Sequence, residues 1–284
     1  MTFEPSTPWI PMTWPDLTAR PRAEPDRTFR YGTDQLQLVD LWLPPGDPAG
    51  RWPTVLMVHG GCWQSSIADR RLMDWIAADL RGDGIAVWNI DYRGVDRDGG
   101  GYPGTFRDAA AAADLLRDHA GGYRLNLSRI VAVGHSAGGH LALWLAARHR
   151  LPLAGPLVSS DPLPIAHVVS LGGLPDLAAV EASPDNGCGT EVIAQLVGGD
   201  RPGRFADTSV VELLPIGVPI DLIDGAQDRI VPARMAPAFA EVAEAAGDRV
   251  AQQRIYDTGH VELIAPGTPA WAAAKAAIAR ALSD

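Results

Sequence analysis

Ile130-Val-Ala-Val-Gly134-His-Ser136-Ala-Gly138-Gly-His140-Leu-Ala-Leu-Trp-Leu145 opens as a β-branched apolar run, passes through glycines flanking a serine, and continues as an Ala/Leu-rich helix. A strand, a G-x-S-x-G turn and a helix in that order make a nucleophile elbow. The reason for the glycines is geometric. A serine on so tight a turn holds a strained backbone, and the residues two before and two after it must be small. The turn lifts the Ser136 hydroxyl above the sheet edge, and the following helix aims free N–H groups and its positive end at the same place.

Outward from the elbow, strand and helix patterns alternate. Thr54 to Val58 reads as a strand buried on both faces and runs into His59-Gly60-Gly61-Cys62-Trp63. A helix is expected over 70–81, a strand over 85–90, and an Ala-rich helix over 105–119. Strands at 167–171, 219–224 and 250–256 follow, with helices at 234–246 and 271–282. This alternation calls for an α/β fold: a doubly wound, mostly parallel sheet with helices on both faces. Phe29 to Leu43 reads as an antiparallel edge hairpin. Residues 1–28, rich in proline, are expected to form an extended arm on the surface of a single domain covering 29–284. The stretch 175–215 has little β signal, and a connection that long predicts a cap-like insertion.

The chain has 284 residues, 46% of them hydrophobic, enough for a sizeable core. Its formal net charge of −10 argues against nucleic acid or an anionic membrane as partner, since both call for basic surfaces. Two cysteines, Cys62 and Cys188, do not amount to a disulfide framework. With no basic stretch and apolar core at the N-terminus and no window of eighteen apolar residues, the expected compartment is the cytoplasm. Oligomeric state is not legible.

A serine hydroxyl needs a base, and the base needs an orienting acid. After Ser136 the chain offers Asp228 and then His260, each just beyond a predicted strand whose carboxyl end faces the common crevice. Among the other histidines, His135 is expected to point away from Ser136, and His140 to be packing. Asp224 and Asp257 rival Asp228 as the acid, with Glu262 an outsider; Asp224 is expected to hydrogen-bond the loop backbone. The Gly60-Gly61-Cys62 turn is the candidate oxyanion hole, because amides of a Gly-rich turn can approach a tetrahedral oxyanion closely. Gly61, Cys62 and Ala137 would be its donors, with the Cys62 side chain turned aside. Trp63, Tyr102 and Leu174 are candidate pocket residues. The carboxylates show no metal-ligand spacing, and no cofactor is implied.

His59-Gly60-Gly61-Cys62-Trp63 together with Gly134-His135-Ser136-Ala137-Gly138 resembles the α/β-hydrolase superfamily. More narrowly, the chain from about Tyr31 onward is similar to its arylformamidase (kynurenine formamidase) and hormone-sensitive-lipase-like esterase branch, and Gln227-Asp228-Arg229-Ile230-Val231-Pro232 looks like that family's acid loop. The H-G-G-x-W form leans toward the arylformamidase side. The resemblance implies a serine hydrolase acting on a small carboxylic ester or N-formyl/acyl amide, with Ser136, Asp228 and His260 as its triad. A peptidase-like or acetyl-xylan-type esterase on the same scaffold, and a non-catalytic ligand-binding member of the fold, are the competing readings.

Overall fold

The computed structural model describes residues 9–283. One eight-stranded sheet organises them: β1 (Arg27–Arg30), β2 (Leu38–Trp42), β3 (Trp52–Val58), β4 (Ala86–Ile90), β5 (Leu125–His135), β6 (His167–Leu171), β7 (Ile220–Gly225) and β8 (Val250–Ile255). Their spatial order is β1-β2-β4-β3-β5-β6-β7-β8. From β4 to β8 every neighbouring pair is parallel, while β2 runs antiparallel to both β1 and β4. The edge hairpin is therefore real, and it is stitched to the parallel sheet through β4 rather than β3.

Strand periodicity divides the core in two. Leu56 and Val58 of β3 face one apolar layer and Val55 and Met57 the other. The first layer is covered by α3 (Gly104–Asp114), α4 (Leu116–Ala120), α5 (Ala137–Ala147) and α8 (Met235–Ala246), the second by α2 (Asp74–Gly82) and α9 (Pro269–Ser283). Every residue of α5 is buried, as expected of a helix apolar all round.

Three elements differ from the periodicity reading. The helix expected over 70–81 opens as a 3-10 turn at Arg70–Met73, where Asp69 accepts from the Arg71 amide. The Ala-rich helix breaks at Leu115 into α3 and α4. The arm of residues 1–28 is not wholly extended: Trp14–Thr18 forms a helix, α1, with Asp16 accepting hydrogen bonds from the Thr13 amide (2.7 Å) and hydroxyl (2.6 Å). Pro15 inside its first turn costs nothing there, because those amides have no intrahelical acceptor. Residues 1–8 of the arm lie outside the described residues. The stretch 175–215 contains two short helices, α6 (Leu177–Glu181) and α7 (Glu191–Val197), and a 3-10 turn at Val210–Leu213. Among the described residues no helix is long and apolar enough to cross a membrane.

The elbow forms where β5 meets α5. Ser136 sits at φ 55°, ψ −124°, a backbone that side-chain-bearing residues rarely adopt. A Cβ on Gly134 would lie 2.0 Å from the Gly138 carbonyl oxygen, and one on Gly138 would lie 2.2 Å from that of Val58. Gly138→Ala is therefore expected to lower stability by about 1–3 kcal/mol or more, read as a shift of the urea midpoint. An unchanged midpoint would mean that β3 and α5 are not in this contact.

Candidate active site

The end of β5, the loop after β7 and the loop after β8 open onto one crevice, and each delivers one polar side chain. Ser136 comes from the elbow, its amide bonded to the Leu171 carbonyl (2.8 Å), and its hydroxyl has no partner among the described residues. His260, beyond β8, donates from Nδ1 to Asp228 Oδ2 at 2.6 Å. The other oxygen of Asp228 accepts the amides of Ile230 (2.8 Å) and Val231 (2.9 Å). Asp228 is thus held on both oxygens and the imidazole through Nδ1, while Nε2 has no partner among the described residues. Ser136 and His260 line the same cavity of about 290 Å³.

Asp224, the rival acid, makes no such contact. Asp224 is 7% exposed, and among the described residues its Oδ2 has no hydrogen-bond partner, contrary to the expected bond to the loop backbone. Burial, and after it the nearby charge of Asp228, pushes it up to about 7.

The turn after β3 also reaches the cavity, which Gly61 and Cys62 line. Among the described residues, the amides of Gly60, Gly61, Cys62 and Ala137 have no acceptor. A buried ionic network holds this turn from behind. His59 Nε2 meets Asp91 (3.0 Å), whose other oxygen takes Arg70 (3.1 Å), and Arg70 also binds Asp40 (2.6 Å). The Tyr92 ring stacks on His59 at 4.3 Å, and its hydroxyl donates to the His59 carbonyl.

Trp63, Tyr102 and Leu174, the expected pocket residues, do not line the cavity. Trp63 is fully buried and donates from Nε1 to His140 Nδ1 (3.2 Å), while His140 Nε2 donates to the Thr208 carbonyl (2.8 Å). Burial pushes His140 down to about 4, so it serves this chain as a neutral ring. Leu174 is core, and Tyr102 lies under Arg201 with its hydroxyl on Asp207. Bulk and aromaticity suggested these three, but those properties fit core packing equally well.

His135 corrects another expectation. It lines the cavity beside Ser136, its ring 4.4 Å from that of His260, and Nε2 donates to the His260 carbonyl (3.1 Å). Burial, reinforced by His260, holds it well below the usual histidine range, so it stays neutral.

Cys62 is bonded to Cys188, closing 126 residues of chain. The side chain expected to be turned aside as a thiol is a cross-link between the turn after β3 and the stretch 183–190. Gly187, next to Cys188, lines the cavity, and its amide donates to the Ile230 carbonyl (2.7 Å) in the loop that carries Asp228. This stretch is therefore fastened both to the turn after β3 and to the loop that carries Asp228. Only the Gly flanks of both cysteines, marking each as a loop residue, hinted at this in the sequence.

The family model described as BD-FAE matches residues 39–242. The chain is 25% identical over 222 residues to Esterase LipC of Mycobacterium tuberculosis, covering 76% of this chain and 54% of that protein. It is 26% identical over 231 residues to a probable isoprenylcysteine alpha-carbonyl methylesterase, ICMEL1, of Arabidopsis thaliana, covering 78% and 48%. The chain thus spans about half the length of these curated relatives. Esterase B from Lactobacillus rhamnosis superposes with a TM-score of 0.76 at 19% identity, covering 93% of this chain and 87% of that one. Together with the strand order, this likeness establishes the α/β-hydrolase fold.

Two outcomes follow from the buried groups. Since the folded chain holds the Asp224 proton more tightly than the unfolded chain, the stability linked to it is complete below about 3.8 and is lost as pH rises toward about 7. Asp224→Asn removes that loss, so its urea midpoint should gain on wild type between about pH 4 and about pH 8; a constant difference would show that the carboxyl is not buried as described. Cys188→Ser should cost about 2–5 kcal/mol. Its melting temperature should match that of wild type in dithiothreitol, and a wild-type melting temperature indifferent to reductant would mean that the bridge has no weight.

Proposed function

The chain belongs to the BD-FAE family, and from that premise we propose that it is a serine esterase cleaving small carboxylic esters through an acyl-enzyme. The observation that carries this reading is the 2.6 Å bond from His260 Nδ1 to an Asp228 whose other oxygen is held by two amides, beside a serine on a strained elbow.

The Ser136 hydroxyl attacks the carbonyl carbon while His260 Nε2 takes its proton. Asp228 keeps the imidazole in the tautomer with its proton on Nδ1 and stabilises the imidazolium that forms. The carbonyl oxygen, now an anion, is met by the amides of Gly61, Cys62 and Ala137, which have no competing acceptor among the described residues. Collapse of the tetrahedral species breaks the ester bond, and His260 hands its proton to the departing alkoxide. Water then repeats the cycle on the acyl-enzyme and releases the acid.

An ester is proposed over an N-formyl amide. The formamidase-like resemblance leaned on Trp63, and that side chain is buried against His140, out of a substrate's reach. The bridge between Cys62 and Cys188 favours an oxidising compartment over the cytoplasm. The substrate is read as a small molecule, in keeping with the cavity's size.

A fluorophosphonate should label wild type at Ser136 and leave Ser136→Ala unlabelled. That variant should keep its fold and lose ester turnover, retaining at most the roughly 10³–10⁴-fold over water that oxyanion and binding contributions supply. Asp228→Asn should lower kcat on the order of 10⁴-fold. Ester turnover by Ser136→Ala within tenfold of wild type overturns the assignment, as labelling elsewhere does. N-formylkynurenine turned over faster than an aryl acetate would replace the ester by the amide.

A further inference from the structure

The N-terminal arm meets the site at the histidine. Trp14 and Thr18, one helical turn apart on α1, both line the cavity that holds Ser136 and His260, while Leu17 between them is buried in the core and anchors the helix. The Trp14 ring stands edge-on to His260 (6.2 Å between centroids, 83° between planes) and at 6.3 Å from His135. It remains 37% exposed while lining the cavity, so part of the indole is open at the site.

The arm is held there by the loop that carries the base. Glu262 accepts the Met12 amide on Oε1 (2.7 Å) and the Gly259 amide on Oε2 (3.1 Å), so one buried carboxylate joins the arm to the residue before His260. Arg20 donates to the Pro266 carbonyl (2.8 Å), and Arg22 approaches Asp74 of α2 at 3.6 Å. Trp14 therefore has a fixed position relative to the imidazole.

That position identifies which part of a substrate it faces. The proton for the departing alkoxide comes from His260 Nε2, so the alcohol oxygen must come within hydrogen-bond reach of that nitrogen. The alcohol portion then extends along the His260 side of the cavity, where Trp14 stands. The acyl portion lies toward the oxyanion turn, where Ala68 packs against Gly61 and lines the cavity with it. We propose that Trp14 is a specificity-determining residue on the leaving-group side, selecting esters of flat apolar or aromatic alcohols. This rests on the serine-esterase reading above and adds the substrate class to it.

The test uses the full chain with benzyl acetate and ethyl acetate. Both form the same acetyl-enzyme, so the ratio of their kcat/KM values reports leaving-group recognition alone. Trp14→Ala should lower the benzyl-to-ethyl ratio roughly tenfold, mainly through KM, the scale of a lost aromatic contact together with its burial. Trp14→Phe should keep most of it, and ethyl butyrate against ethyl acetate should keep its wild-type ratio in both variants. An unchanged benzyl-to-ethyl ratio in Trp14→Ala overturns the proposal. So does an equal fall for both acetates, the mark of a residue that only supports the fold. If melting shows Trp14→Ala unfolded, Trp14→Leu against Trp14→Phe gives the same reading. Wild type that is labelled by fluorophosphonate at Ser136 but shows no such sensitivity sinks only the role of Trp14. Wild type that neither labels nor hydrolyses either ester sinks the esterase reading and this inference with it.

Discussion

Ser136 is held at φ 55° between two glycines that allow backbone to approach backbone where no side chain would fit. Such a conformation costs about 1–3 kcal/mol and persists only where its surroundings over-determine it. Here they do. The Ser136 amide is tied to Leu171 in β6, Gly138 lies against the carbonyls of Val58 and His59 at the end of β3, and α5 is buried over its whole length. The central strands and the helix between them are the frame that keeps one serine strained, and the loops of the crevice are arranged around the point at which it projects.

Those loops are long, and loops move unless something fastens them. Four ties do so, each of different chemistry. An ionic network through Asp91 and Arg70 lies behind the turn after β3. The hydrogen-bonded run Trp63–His140–Thr208 links that turn to α5 and to the inserted stretch. The Cys62–Cys188 bridge joins the same two segments covalently. Glu262 joins the histidine loop to the N-terminal arm. Buried polar groups are costly unless paired, and most of these have their partners. Among the atoms left without a partner in the described residues are Asp224 Oδ2 and His135 Nδ1, and both groups favour a neutral form: Asp224 rises to about 7 and His135 falls well below its usual range.

Much was legible in the sequence because it rests on local rules. Strand against helix follows from a period of two against 3.6, and the elbow from glycines at fixed offsets around a serine. Asp228 and His260 could be singled out because both follow parallel strands, and the carboxyl ends of such strands converge. The two were then found at hydrogen-bond distance. The helix break at Leu115 and the 3-10 opening at Arg70 escaped, being set by what lies against those residues rather than by period.

What tertiary structure alone decided was which side chains line the crevice. Trp63 and Trp14 are both tryptophans near one end of a loop or arm, and no periodicity separates them. One is buried on His140 and the other stands beside His260, 246 residues away along the chain. Cys62 and Cys188, and Met12 and Glu262, meet for the same reason: the partners are distant in sequence and brought together only by the path of the completed sheet. The sequence by itself determined the α/β alternation, the strained serine and the order of its candidate partners, because each depends on neighbours a few residues away. The pocket wall and the ties that hold it depend on contacts that exist only once the whole chain has closed around the crevice.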